Sequence, residues 1–364
     1  MKVPRPWLAP FAIGYACGVF VWEACYRWGV FSTRRLSIPV IGVGSIAAGG
    51  SGKTPLVIRL AQYALERGKC PGILSRGYGG TRSRSSMPVV FRGRESPGPE
   101  EVGDEPALMA KKLPDALFGI CPDRVKGGTA LQEAGADLVI LDDGFQSLEL
   151  FQDLKVVFLP EDNSGSFATS VFHFLPAGNL RDFPSRLAEA EILVYTAEAG
   201  EKGESPHKRQ IRDKLETSLG IGKNGPEILG TRLRFAEVVG ADFEPAESLE
   251  DLRRKKVVLV SGIARPERFA QFLRELGIYP VGHLVLKDHA SYSDCRIRKI
   301  RQWIKKIEET REVDRILTTE KDLVKWAGSS HPDTRLRGIS VKMDWLEQSG
   351  WTTQIDPLLE RTKG

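Results

Sequence analysis

Residues Val43 to Pro55 read VGSIAAGGSGKTP, between a short apolar run and a helical pattern. Within them Ala47, Ala48, Gly49, Gly50, Ser51, Gly52, Lys53 and Thr54 follow the order of a Walker A phosphate-binding loop, with alanine in the first glycine position. Glycines let the backbone curl until several N–H groups face one phosphate chain, and the helix that follows adds its positive end. Lys53 would reach the β- and γ-phosphates of a nucleotide, and the Thr54 hydroxyl would bind Mg²⁺. Ala47 departs from the strict pattern, but far from the lysine. A metal partner is supplied by the apolar run ADLVIL, which ends in Asp142 and Asp143 and continues Gly144, Phe145, Gln146. Carboxylates at the carboxyl end of a buried strand sit where open α/β sheets bind ligands, and one can hold Mg²⁺ directly or through water.

Asp104 and Glu105 precede Pro106 at a helix start, where either could cap the helix. Transfer to a hydroxyl also needs a carboxylate beside the acceptor to direct its proton. Ser75 to Arg94 holds five arginines and no acid, either a mobile solvated loop or a contact for an anionic substrate. His289 lies in the polar run Lys287-Asp288-His289, where an exposed histidine is usually incidental.

The elements that must carry these residues alternate. Ser37–Val43, Lys69–Leu74, Ala136–Leu141, Lys155–Leu159 and Ile192–Tyr195 read as buried strands, with helices over Pro55–Arg67 and Glu105–Lys112. Between Ala197 and Asn224 the chain is charged and poor in long apolar residues, as in a solvated helix or linker. A second unit starts near Thr231, with strands at Lys256–Val260, Val281–Leu286 and Ile316–Thr318 and helices at Pro266–Leu276 and Cys295–Glu309. The expected organisation is α/β: an N-terminal helix (1–32), a mostly parallel P-loop core (33–230) and a smaller α/β domain (231–364).

The first segment is basic and apolar together. Lys2, Arg5, Arg27, Arg34 and Arg35 stand against Glu23 alone, and Trp7 to Trp22 carry no charge. As a helix that run spans about 24 Å, short of the roughly 30 Å of bilayer hydrocarbon. Trp7, Phe11, Tyr15, Trp22 and Tyr26 share a stripe, with Glu23 and Arg27 placed as an i,i+4 pair away from it. Aromatics with flanking arginines suit the membrane interface, so a shallow or tilted anchor is expected, entered from the cytoplasmic side. The alternatives are a buried core helix and a signal peptide; the latter would need a small-residue cleavage site of the A-x-A kind, and VWEACYRW has none.

Of the 364 residues 41% are hydrophobic and 27% charged, which excludes a disordered or collagen-like chain. Five scattered cysteines form no C-x-x-C pair, and so suggest neither a disulfide framework nor a zinc site. A net charge of +5 does not by itself imply nucleic-acid binding, and no obligate protein partner is evident.

Together with the P-loop, SRGYGG (Ser75 to Gly80), VGDEP (Val102 to Pro106), Asp123-Arg124, LDDGFQ (Leu141 to Gln146), LPAGNLRD (Leu175 to Asp182), SGIARPERF (Ser261 to Phe269), KDHASYS (Lys287 to Ser293) and TTEKD (Thr318 to Asp322) occur in one order. In this the chain resembles the tetraacyldisaccharide 4′-kinases, the lipid A kinases of Gram-negative bacteria. The resemblance implies ATP-dependent phosphorylation of the 4′-hydroxyl of an acylated disaccharide 1-phosphate at the cytoplasmic face of the inner membrane. It implies ATP and Mg²⁺, with Lys53, Thr54, Asp142 and Asp143 as phosphate and metal ligands. Asp104 is implied as catalytic carboxylate with His289 as its partner, and Arg76, Glu105, Arg124, Gln146 and Arg181 as substrate-lining residues. Ser45 stands where asparagine is common and Asn179 where proline is frequent, and the second histidine often seen after His289 is missing. The competing class is a P-loop switch or chaperone ATPase in which water is the acceptor. A GTPase would carry Asn/Thr-Lys-x-Asp, and Thr319-Glu320-Lys321-Asp322 has its lysine displaced by one. A soluble small-molecule kinase would leave the aromatic helix without a purpose.

Overall fold

The computed structural model describes residues 5–49, 52–159, 170–197, 201, 203–222, 225–288, 290–328 and 333–361. Gly50, Ser51 and His289 therefore lie outside the described residues. The strands are β1 (Val40–Gly44), β2 (Pro71–Ser75), β3 (Val89–Arg92), β4 (Leu117–Ile120), β5 (Leu138–Asp142), β6 (Leu154–Phe158), β7 (Ile192–Thr196), β8 (Glu227–Val239), β9 (Pro245–Glu247), β10 (Val257–Ser261), β11 (Gly282–Val285), β12 (Arg315–Thr319) and β13 (Leu336–Trp345). They form one sheet in the order β11-β10-β12-β13-β8-β7-β6-β1-β5-β2-β4-β3, with β9 beside β8.

The apolar runs become strands because both faces of the sheet are covered. β1, β2, β5 and β10 are buried at every position, as parallel strands between helical layers must be. On one face of the first half Val57, Leu60, Ala61, Ala107 and Met109 pack with Trp351, Ile355 and Leu358 from the last helix. The other face packs Leu74, Leu131, Val139 and Leu150.

The two halves join through β8. Its first residues, Glu227 to Thr231, pair parallel with β7 (Ile192 to Thr196), and Thr231 to Val239 pair antiparallel with β13 (Trp345 back to Gly338). β8 thus runs through the position where the sequence suggests a boundary. The arginine-rich segment is irregular over 76–88 apart from a 3₁₀ turn (Thr81–Arg84), and then enters β3, an edge strand antiparallel to β4.

The N-terminal helix, Ala9–Arg27, docks through small residues. Ala12, Ala16 and Ala24 are buried, the first two in a cluster with Ile46, Ala47, Phe145 and Leu180. Alanines let the helix approach closely while Trp7 (71% exposed), Phe11 (66%), Phe20 and Val21 point outward; the expected aromatic stripe is split, since Tyr15, Trp22 and Tyr26 face a cavity beneath the helix. Glu23 does not pair with Arg27 but turns inward to Arg186, 3.7 Å away. No helix among the described residues is long and apolar enough to cross a membrane.

Candidate active site

The carboxyl ends of β1, β5 and β2 release their loops side by side, and the chain reverses its order across the sheet at β1, between β6 and β5. This is the crevice in which open parallel sheets bind ligands. After β1 the loop closes on Gly52, whose φ of +87° suits glycine and where an added Cβ would lie 3.0 Å from the Phe158 ring. The helix Lys53–Glu66 starts immediately after it and directs its positive end into the crevice. The opening of the loop is braced by 175–182: Ala48 N–H donates to the Asn179 carbonyl (2.7 Å) and Arg181 N–H to that of Ile46 (2.8 Å).

At the end of β5 the two aspartates diverge. Asp142 is buried, and its Oδ2 accepts from Ser75 Oγ at 3.1 Å. Burial, with Glu105 and Asp143 nearby, pushes its carboxyl up to about 6. Asp143 takes a left-handed backbone (φ 54°), which aspartate tolerates better than most residues. Its carboxylate meets Lys53 Nζ at 2.9 Å and Arg181 Nη1 at 2.6 Å. Burial works against ionisation there, but these two cations hold Asp143 down at about 2. Gln146 donates to the Ser45 carbonyl (3.1 Å) and to Asp182 Oδ2 (3.3 Å).

Arg124 has no exposed surface. Nη1 donates to the Leu74 carbonyl at 3.0 Å and Nη2 to that of Asp142 at 2.8 Å, tying the ends of β2 and β5 together. Burial, then the charge of Arg76, brings its guanidinium down to about 10. Arg76 itself is exposed.

Asp104 and Glu105 begin the helix Asp104–Lys112 after Gly103, whose φ is +95° and whose added Cβ would lie 2.6 Å from the Tyr78 carbonyl oxygen. That close approach seats SRGYGG on VGDEP. From the second half, the helix Glu320–Ala327 sets Lys325 Nζ 3.4 Å from Asp104 Oδ2 and Lys321 Nζ 3.0 Å from Glu105 Oε1.

Between this crevice and the N-terminal helix lies a cavity of about 960 Å³. Arg76, Gln146 and Arg181 line it from the site, and Tyr15, Trp22 and Tyr26 from the helix. The Tyr15 hydroxyl donates to the Arg181 carbonyl at 3.1 Å. Under the cavity Arg186, almost wholly buried, pairs with Asp182, with Glu189 (3.2 Å) and with Glu23, over the Phe145 ring. Burial, with a hydrogen bond that the protonated carboxyl donates to Asp182, pushes Glu23 up to about 8.

The sequence profile described as tetraacyldisaccharide-1-P 4′-kinase matches residues 4–360. The chain belongs to that family. Tetraacyldisaccharide 4′-kinases of Syntrophus aciditrophicus (strain SB) and Anaeromyxobacter sp. (strain Fw109-5) are each 32% identical to it, over 88% and 97% of this chain and 84% and 92% of theirs. A crystal structure of the family member LpxK from Aquifex aeolicus, in complex with ATP, superposes with a TM-score of 0.75 at 29% identity. The match covers 98% of this chain and 99% of that one. The α/β fold expected from the sequence is thus the fold of this tetraacyldisaccharide 4′-kinase.

Lys53, Asp142, Asp143, Gln146 and Arg181 come together in the crevice, Thr54 follows Lys53 on its helix, and Arg76 opens onto the cavity. Arg124 sits beneath them instead, with no accessible surface to offer a ligand. Sequence reading missed Lys325, Lys321, Ser75, Asp182 and Arg186. Asp182 and Arg186 carry an i,i+4 charge pattern that could have been noticed; the two lysines acquire partners only through the tertiary fold.

Proposed function

We propose that this chain transfers the γ-phosphoryl group of ATP to the 4′-hydroxyl of a tetraacyldisaccharide 1-phosphate, a step of lipid A biosynthesis. The observation that carries this reading is the convergence of Lys53, Asp143 and Arg181 at the carboxyl ends of β1 and β5, with the Asp104 helix on the neighbouring wall. In-line phosphoryl transfer demands positioning and neutralisation of charge rather than covalent chemistry. Lys53 and the amino end of its helix serve the β- and γ-phosphates, and when nucleotide enters, Lys53 exchanges the Asp143 carboxylate for phosphate oxygen.

The residues present suit a divalent cation. Asp142 is a buried carboxylate raised towards neutrality beside Glu105 and Asp143, while Lys53 and Arg181 pair with Asp143 and Arg124 donates to backbone carbonyls, which leaves negative charge to be balanced. Thr54, Asp142 and Asp143 would hold Mg²⁺, which when bound neutralises the phosphates. Ser75 and Arg124 fix Asp142 from below. Asp104 takes the proton of the acceptor hydroxyl, with His289 as its partner, and Arg76 and Arg181 face the anionic headgroup across the cavity.

The exposed aromatic face of the N-terminal helix supports a location on the cytoplasmic face of the inner membrane, where the acyl chains of the substrate would stay partly in the bilayer. The test is transfer of radiolabel from ATP to lipid by the purified chain. Label should appear in lipid only with Mg²⁺ and acceptor, and Lys53→Ala should lower transfer by about 10²-fold or more with its thermal unfolding unchanged. ATP turnover of equal rate with and without lipid would instead support a switch ATPase.

A further inference from the structure

The helix Glu320–Ala327 meets the Asp104–Lys112 helix through three ion pairs: Lys112 with Glu320 (2.6 Å), Lys321 with Glu105 (3.0 Å) and Lys325 with Asp104 (3.4 Å). The first two could do no more than hold two helices together. The third differs in its surroundings. The Lys325 side chain is only 7% exposed, and its ammonium lies 3.4 Å from each of two carboxylates, Asp104 Oδ2 and Asp322 Oδ1.

Asp322 is itself held from three directions. It has no exposed surface, and Oδ2 accepts from the Gly262 N–H (2.9 Å) and from Thr319 Oγ (2.8 Å), whose own oxygen caps the helix at the Asp322 N–H. The Tyr292 ring flanks the ammonium at 5.4 Å and stacks on the buried Trp326. A buried ammonium is costly unless paired, and here its setting is fixed by the ends of β10 and β12, the helix they position and the Tyr292 ring. The charge is therefore presented to Asp104 at a set point in space.

We propose that Lys325, carried by the second half of the chain and oriented by Asp322, is a positioning residue for Asp104: it fixes one oxygen of that carboxylate and so sets the direction from which the carboxylate meets the acceptor hydroxyl. This rests on the reading of Asp104 as the acceptor's base. Its chemical content is directional, because a carboxylate turned away from the line of approach has neither oxygen aligned to the hydroxyl, and misalignment reduces the chemical step while sparing nucleotide binding. TTEKD and the lysine three residues after it thus act as one device, Asp322 orienting Lys325 and Lys325 orienting Asp104.

The experiment is a double-mutant cycle in the full-length enzyme, combining Lys325→Met with Asp104→Ala, alongside Lys112→Met as a control on the same pair of helices. Lys325→Met should lower kcat by roughly tenfold or more while KM for ATP stays within about twofold. In the Asp104→Ala background the same substitution should change the residual rate by less than about twofold, because the group it acts through is gone. Lys112→Met should cost thermal stability yet keep kcat near that of the parent. If Lys325→Met does not fold, Lys325→Gln, which keeps a donor but removes the charge, is read in the same cycle. Equal losses from the Lys325 substitution in both backgrounds, or a kcat loss in Lys112→Met as large as in Lys325→Met, would overturn the proposal with the Asp104 reading intact. Near-normal turnover in Asp104→Ala alone would instead overturn the reading of Asp104 on which it rests.

Discussion

Replacing Arg186 by methionine removes one guanidinium and leaves three carboxylates. Asp182, with no exposed surface, loses its closest cation, though it keeps the Phe183 N–H at 2.9 Å and Gln146 at 3.3 Å. Breaking a buried ion pair by deleting one partner costs about 3–5 kcal/mol. The contacts to Glu189 (3.2 Å, 38% exposed) and Glu23 (3.7 Å) are longer, and add under about 1 kcal/mol. Glu23, pushed up to about 8, is largely protonated at pH 7 and offers little charge to be left unpaired. The expected loss is therefore about 4 kcal/mol, set mainly by Asp182. Unfolding entropy of about 2.1 cal/mol/K per residue gives about 0.76 kcal/mol/K for a chain of this length melting as one unit, and hence a fall in Tm of about 5 °C. Scanning calorimetry of Arg186→Met at pH 7 measures it, and Arg186→Lys should recover only part, since one ammonium cannot serve Asp182 and Glu189 with the same geometry. A fall of less than about 1 °C would show that the buried network contributes nothing net, and the reasoning from burial would fail with it.

Glu23→Gln tests the same corner through pH. Because the folded Glu23 binds its proton up to about pH 8 and the unfolded one only to about 4.5, the native state holds more protons across that window and loses stability as pH rises through it. Glutamine cannot lose a proton, so the variant should melt with the parent near pH 5 and above it at pH 8.5; parallel curves would contradict the assigned environment. On the outer face of the N-terminal helix, serine at Trp7, Phe11, Phe20 and Val21 together should weaken flotation with anionic liposomes while shifting Tm little, since all four side chains are exposed. Undiminished flotation would locate membrane contact elsewhere.

The nucleotide half of the site was legible because its residues are neighbours in sequence. A fully buried parallel strand must be an apolar run, a phosphate cradle must be glycine-rich, and both signals survive without knowledge of partners. β8 gave no such signal: its exposed second part, RLRFAE, mixes charge with apolar residues, and its two long partners, β7 and β13, lie on opposite sides of it in the sequence. The alanine face of the N-terminal helix was hidden for a related reason. Hydrophobic patterning points to the aromatics, whereas docking selected the smallest side chains, which carry almost no weight in such a pattern. Arg124 shows a third limit, for a motif can mark a position as important without saying whether it touches the ligand or supports the strand that does.

The docking of that first helix bears on how the enzyme could be made tractable in solution. Read from sequence, residues 1–32 look like an appendage to be cut away for solubility. In the fold the same segment roofs the cavity with Tyr15 and Trp22, ties the backbone of Arg181 through a phenol, and supplies one of the acids around Arg186. Truncation would therefore unroof the site as well as remove the proposed membrane-facing side chains, and an inactive truncated protein would say nothing about whether membrane contact is needed for turnover. Resurfacing separates the two: polar side chains on the outward positions, with Ala12, Ala16, Tyr15 and Glu23 left in place, would remove the proposed bilayer contact while keeping the cavity walled. Such a protein could be presented with a short-chain, soluble acceptor, so that catalysis and interfacial delivery become separately measurable quantities.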